Sequence, residues 1–352
     1  MLFKTANLHF ELCCLPLHSR QTTRAQTVKQ KIKIAASPVS CAMDFVIGYV
    51  SGSIAACGAV TFTNPFEVIK TRLQLQGELA RHGTPKPYTN TFAAIPIILK
   101  NEGIRGLQKG LGAAYIYQIL MNGIRLGSYE PLKNIFRDTL GLHSTLAAIS
   151  AGSLSGVLGA SVASPLFLVK TRIQSYAPSN ISVGYQHRYT SVWNGLTSIY
   201  KNENGIRGLF KGANAAMART AVGSGVQLAT YDAMKQFILS TGYVEDGLSA
   251  YFSASLLTSF IACSAMNPFD VVMTRVYNQA RDKHGNGVLY RGLVDCFVKT
   301  LKAEGVRGIY KGWLPHYLRL GPHTILTFVF LEESRKLLKR VLTPASTLNA
   351  RT

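Results

Sequence analysis

Two arginines, Arg219 and Arg319, stand in stretches otherwise made almost wholly of apolar and small residues, "ANAAMARTAVGSG" and "WLPHYLRLGPHTIL". Placing an ionisable group in such a segment costs about 2.5 to 3.5 kcal/mol on insertion scales, so each calls for a reason. A guanidinium keeps its charge at any working pH and offers paired donors to a carboxylate or a sulfate, so two of them suit a small dianion. Arg219 lies 13 residues before Asp232, and Arg319 lies 13 before Glu332. At helical rise that is ~20 Å from the charged segment ends, near the middle of a bilayer. Thr220 adds a hydroxyl beside Arg219. Gln118 and Arg125, seven residues apart, share one helix face about 10 Å apart and extend the polar set. His323, one turn after Arg319, titrates nearest neutrality and is a candidate for sensing a proton.

A second constellation is written three times. "PFEVIKTRLQ" begins at Pro65, "PLFLVKTRIQ" at Pro165 and "PFDVVMTRVY" at Pro268. The acids Glu67 and Asp270 recur two places after their prolines, but Phe167 takes that position in the second copy. Lys70 and Lys170 recur three places further, but Met273 takes that position in the third. Acid and base have each been lost once, which strands no charge if the two altered positions meet. Replacing both members of a buried ion pair by apolar groups is often neutral, whereas removing one costs about 3 to 5 kcal/mol.

These residues need long apolar elements to hold them. Each proline closes an apolar run long enough to cross hydrocarbon, such as "LAAISAGSLSGVLGASVASP". A basic polar stretch follows, then a short amphipathic segment, then "EGIRGLQKG" at 102–110, "NGIRGLFKG" at 204–212 or "EGVRGIYKG" at 304–312, then a second apolar run. Six spanning segments in three hairpins are expected, in repeats 44–140, 141–242 and 243–340. Residues 1–43, with five basic residues from Arg20 to Lys33 and many Ser and Thr, fit either a targeting segment or an extension without fixed structure. Residues 341–352 form a tail.

Composition agrees with a membrane protein. Of 352 residues 47% are hydrophobic and 16% charged, and the formal net charge is +21. Basic residues concentrate in the loops within each repeat, which places those loops on one side of a membrane and both termini on the other. A nucleic-acid face would not be divided among three such loops. Six cysteines without CxxC spacing read as reduced thiols, and neither a metal site nor a cofactor fingerprint is present.

The three-fold repetition of proline, acid and paired basic residues, with its "EGxxxx-aromatic-basic-G" echo, resembles the mitochondrial carrier family over about 44–340. That resemblance implies an all-α membrane protein with six transmembrane helices in three pseudo-threefold repeats and short amphipathic helices on the matrix side. It implies a monomer in the mitochondrial inner membrane, both termini facing the intermembrane space, that moves small anions by alternating access and is not an enzyme. It assigns a matrix gate to Glu67 with Lys170, Asp270 with Lys70, and Phe167 with Met273, braced by Gln74 and Gln174, while Tyr277 departs from the bracing pattern. A cytoplasmic gate is assigned to Glu130 with Lys235, Asp232 with Arg335, and Glu332 with Lys133. Cardiolipin phosphate is assigned to Lys109–Gly110, Lys211–Gly212 and Lys311–Gly312. Arg219 followed by Thr220 is similar to the family's keto-acid and dicarboxylate branch, oxaloacetate among its substrates and sulfate-like dianions possible cargo. "RLGPHTILTFVFLE" is also similar to the branch that exchanges 2-oxoglutarate and malate, the alternative reading.

Overall fold

The computed structural model describes residues 38–79, 87–243, 247–282 and 286–342. Each repeat contributes a long helix, a short one and a second long one. These are α1 (Pro38–Leu75), α2 (Thr91–Leu107) and α3 (Leu111–Asn134); α4 (Ser144–Ser175), α5 (Val192–Asn202) with the single turn α6 (Ile206–Leu209), and α7 (Ala213–Ser240); then α8 (Leu248–Asn278), α9 (Leu293–Ile309) and α10 (Trp313–Leu342). Among the described residues the only β pairing is an isolated bridge between Arg281 and Gly287. Six long helices form a ring in chain order, and α10 packs back on α1 to close it. Helix α1 begins at Pro38, inside the extension expected over 1–43; what precedes it lies outside the described residues, as does the tail after Leu342.

By length and composition Val46–Leu75, Ser144–Ser175 and Ser249–Asn278 are apolar enough to cross a membrane. Helices α3, α7 and α10, of 24, 28 and 30 residues, are as long as a span requires but more polar, because they carry Gln118, Arg125, Arg219, His316 and Arg319.

The prolines do not end their helices. Each of α1, α4 and α8 continues ten residues past Pro65, Pro165 or Pro268, so Lys70, Arg72 and Gln74 and their counterparts stay on helical faces. The residue before each proline ties the bend to a neighbour. Asn64 Nδ2 donates to the Leu107 carbonyl at 3.3 Å, Asn267 Nδ2 to that of Ile309 at 3.0 Å, and Ser164 Oγ meets the Tyr277 hydroxyl at 2.9 Å. The short helices start on side-chain caps where Asn90 accepts from the Ala93 amide and Ser191 from that of Asn194. Cys57, Cys263 and Cys296 are free thiols.

Candidate functional site

At the proline end the three bent helices converge. Lys170 Nζ lies 2.7 Å from Glu67 Oε2, and Lys70 Nζ 2.8 Å from Asp270 Oδ2, with all four side chains at most 7% exposed. Phe167 packs against the buried cluster that holds Met273 and Tyr277. Two ionic contacts and one apolar contact thus close this end, and the lost acid and lost base face the same cluster. Phe167 also lies edge-on to Tyr117 at 5.3 Å between centroids, with the Lys170 ammonium 5.5 Å from its own ring.

Beneath this layer each repeat leans on the next. Gln74 Oε1 accepts from Thr274 at 2.8 Å, and Gln174 Nε2 donates to Asn64 at 3.1 Å. Tyr277, fully buried, takes the third place with its hydroxyl on Ser164 and its ring 6.0 Å from Phe167. Gly110, Gly212 and Gly312 sit against Gln174, Tyr277 and Gln74 in left-handed conformations of φ 73°, 94° and 73°. A Cβ on Gly212 would come 2.5 Å from the Tyr277 ring, so the aromatic brace requires both the missing side chain and the positive φ.

A third layer was not legible in full from the sequence. Arg72 forms a two-pronged pair with Glu102 (2.5 and 3.1 Å), Arg275 with Glu304 (2.6 and 2.9 Å), and Arg172 with Glu203, whose second prong is 2.8 Å. Their Nε atoms donate to carbonyls of the next repeat: Arg72 to Gln174, Arg172 to Tyr277, Arg275 to Gln74. Aligning "NGIRG" with "EGIRG" hides the acid of the second repeat, since Glu203 stands one residue earlier. The extra residue, Asn204, is absorbed in a left-handed turn of φ 72°, which asparagine tolerates. The recurrence of Arg172 in step with Arg72 is the signal that would have found it.

Two arginines of the even-numbered spans reach the carboxylates paired with Lys70 and Lys170. Arg219 Nε donates to Asp270 Oδ1, and Arg319 Nη1 lies 3.8 Å from Glu67 Oε1. Both guanidinium side chains are 14% exposed. Arg319 Nε has no hydrogen-bond partner among the described residues. Two carboxylates therefore meet four cations, Lys70, Lys170, Arg219 and Arg319, an excess of two positive charges. Gln118 Nε2 lies 3.4 Å from His323 Nε2, whose Nδ1 is 3.5 Å from the Thr63 hydroxyl. Arg125, partly buried, points its Nε toward Gly156 of α4. The Thr220 hydroxyl bonds the Ala216 carbonyl of its own helix, and its methyl faces Gly156, where Arg125 Nε also approaches. His316, which drew no attention in the sequence, is fully buried with Nδ1 3.0 Å from Asp270 Oδ2.

At the other end stand the residues expected to form the second gate. Asp232 and Glu332 are exposed, and Glu332 takes Lys336 of its own helix at 3.1 Å. The Lys235 ammonium lies 4.4 Å from the Tyr251 ring, and Lys133, buried, lies 5.9 Å from that of Tyr129. Glu130 and Arg335 are partly buried. Of the expected phosphate ligands, Lys109 bonds Glu102 and, at 2.9 Å, the Tyr176 carbonyl, while Lys311 bonds Glu304 at 2.5 Å and the Gln76 carbonyl at 3.0 Å. These ammonium groups thus serve the Arg–Glu pairs, and Lys211 is partly buried at the equivalent place.

Comparison with known proteins accounts for the repeated geometry. The family described as "Mitochondrial carrier protein" matches residues 42–140, 142–242 and 245–342. The "Mitochondrial oxaloacetate transport protein" of Saccharomyces cerevisiae is 45% identical over 316 residues, covering 88% of this chain and 94% of the yeast protein. Its Schizosaccharomyces pombe namesake is 46% identical, covering 83% and 91%. The "Mitochondrial citrate transporter E" of Aspergillus niger is 45% identical, covering 83% and 94%. Three matched repeats, six long helices in a ring and relatives named for transport carry one conclusion: the chain belongs to the mitochondrial carrier family and is a multi-pass membrane transporter, not an enzyme.

Proposed function

We propose that this carrier moves oxaloacetate and related dicarboxylates, with sulfate-like dianions as further cargo, across the mitochondrial inner membrane by alternating access. The observation that carries the reading is the excess of two positive charges where Arg219 and Arg319 meet the gate acids. Because each arginine is lent to a gate carboxylate, a bound dianion competes for it. Drawing Arg219 from Asp270 and Arg319 from Glu67 weakens the closed layer, so binding favours opening, as differential affinity requires. Gln118 and Arg125 extend the path toward the far mouth. The proline end faces the matrix and both termini the intermembrane space. The repeats 44–140, 141–242 and 243–340 of one monomer rock as units, and the pairs Glu130–Lys235, Asp232–Arg335 and Glu332–Lys133 form when the cytoplasmic end closes. Cardiolipin phosphate binds at the Gly110, Gly212 and Gly312 helix starts through backbone amides.

Moving a charge through a membrane potential costs about 2.3 kcal/mol per 100 mV, so a dianion entering against roughly 150 mV meets about 7 kcal/mol. Productive cycles therefore pair the anion with protons or exchange it for another dianion. The test is purified protein in liposomes preloaded with oxaloacetate, malate, 2-oxoglutarate, citrate or sulfate. Saturable counter-exchange led by oxaloacetate is expected. Preference for 2-oxoglutarate and malate would favour the exchanger reading, and non-saturating flux would defeat both. Tyr117 favours the first: it stands where repeats two and three have Arg219 and Arg319, and its ring is occupied by Phe167.

A further inference from the structure

Asp270 has three cationic or basic neighbours, one from each repeat. Lys70 comes from α1, Arg219 from α7, and His316 from α10, the partner helix of α8 within the third repeat. If repeats move as units when the gate opens, Lys70 and Arg219 leave and only His316 travels with Asp270. Glu67 is placed differently, since Lys70 stands three residues on along its own helix and can pair with it once Lys170 departs. The same position after Asp270 is Met273. The third repeat has thus lost its own-helix partner for a carboxylate that is fully buried.

His316 fills that gap. Five residues after the Lys–Gly mark the other repeats have Ala114 and Ala216, both buried, so the imidazole is peculiar to the repeat that lacks the lysine. Its Nδ1 is 3.0 Å from Asp270 Oδ2 but out of line for a hydrogen bond, and neither ring nitrogen has a hydrogen-bond partner among the described residues. The charged groups acting on it are Asp270 from α8, Lys70 from α1 and Arg319 on its own helix, with Arg219 of α7 reaching the far oxygen of Asp270. The Cys263 thiol of α8 also senses Asp270. His323, by contrast, has a hydroxyl and an amide as its nearest partners.

We propose that His316 takes a proton from cavity water still open to the intermembrane space when the bound anion draws Arg219 from Asp270, and that it stands as the counter-ion of Asp270 once Lys70 also leaves as the matrix gate opens. The proton bonds to an imidazole nitrogen and passes to the matrix water once the anion has left and Arg219 and Lys70 return to Asp270, so the empty carrier goes back with His316 neutral. One proton therefore crosses with each anion carried inward. This rests on the alternating closure described above but not on which anion is carried.

The test uses the full chain in liposomes, with labelled oxaloacetate as probe and counter-exchange as the reference for each variant. Equilibrium accumulation should change about tenfold per pH unit of gradient for each coupled proton. His316→Gln is expected to lose one such factor. Met273→Lys, which restores an own-helix partner to Asp270, is expected to lose the same factor with the histidine in place, a result that a merely structural histidine does not give. Full pH coupling in either variant that still exchanges overturns the proposal, and so does wild-type accumulation that ignores the gradient or coupling abolished by His323→Gln. Wild-type protein that exchanges no dianion defeats the transport reading itself, whereas exchange without proton coupling defeats only this one.

Discussion

Substituting Phe167 by Asp tests the apolar contact of the proposed matrix gate. The new carboxylate would enter the cluster of Met273 and Tyr277 with no cation opposite it. A stranded buried charge costs about 3 to 5 kcal/mol. The Lys170 ammonium, 5.5 Å from the present ring, tempers this by turning partly toward the new acid, at the expense of Glu67 2.7 Å away. The lower figure, about 3 kcal/mol, is thus the working value and corresponds to roughly a hundredfold loss of the closed gate. Adding Met273→Lys places a cation opposite and should recover at least about 1 kcal/mol, within the range for contacting pairs. The assay is a double-mutant cycle on initial exchange rates in liposomes, normalised to folded protein by thermal unfolding in detergent. A coupling within about 0.5 kcal/mol of zero would show that positions 167 and 273 do not meet in the closed state, and the paired loss of acid and base would need another explanation.

Arg219→Ala and Arg319→Ala should each lower dianion exchange at least tenfold at normal protein levels, with Lys retaining part because its donor is a point charge; near-normal exchange would remove that arginine from the site. Glu203→Ala leaves Arg172 and Arg281 buried without their shared carboxylate and should destabilise the carrier by about 3 kcal/mol, read as a lowered melting temperature. His187, in the loop after α4, is buried beside Arg172, and desolvation and that charge push its pKa down from 6.5 to about 3. A depressed base favours the fold while neutral, so its contribution is complete above about 6.5 and is lost as pH falls toward 3. Melting temperature should decline with acidification over that window, and less steeply in His187→Gln.

Features that recur in register with the three prolines were the most readable in advance, though the Arg–Glu layer, also threefold, was seen only in the structure. The charges of the Glu67–Lys170 and Asp270–Lys70 pairs recur at fixed offsets from the prolines, and the exceptions Phe167 and Met273 stand out against that repetition. The depth of Arg219 and Arg319 follows from helical rise. His316 has no counterpart in the other repeats, so repetition gave no reason to notice it, and its tie to Asp270 depends on how α8 meets α10. The inserted Asn204 displaced Glu203 from its register and concealed it. The Thr220 hydroxyl bonds the carbonyl one turn back, as hydroxyls within helices readily do, a local contact that residue type alone does not announce. The prolines close apolar runs without ending their helices, and the residue before each, Asn64, Ser164 or Asn267, bonds to a neighbouring segment.

The carbonyl contacts of Arg72, Arg172 and Arg275 run head to tail around the bundle. Two of these seams join repeats that the chain also links, at 140–143 and 242–247; the third, from Arg275 to Gln74, joins the last repeat to the first without a peptide connection. All three are made by the same atoms, at 3.2, 2.9 and 3.2 Å. The ring therefore has no hinge side and no latch side. Under the proposed alternating access, such a ring would open less like a clamshell, with its motion at one joint, than like an iris, with each seam yielding a share. A defect at any one seam loads the other two.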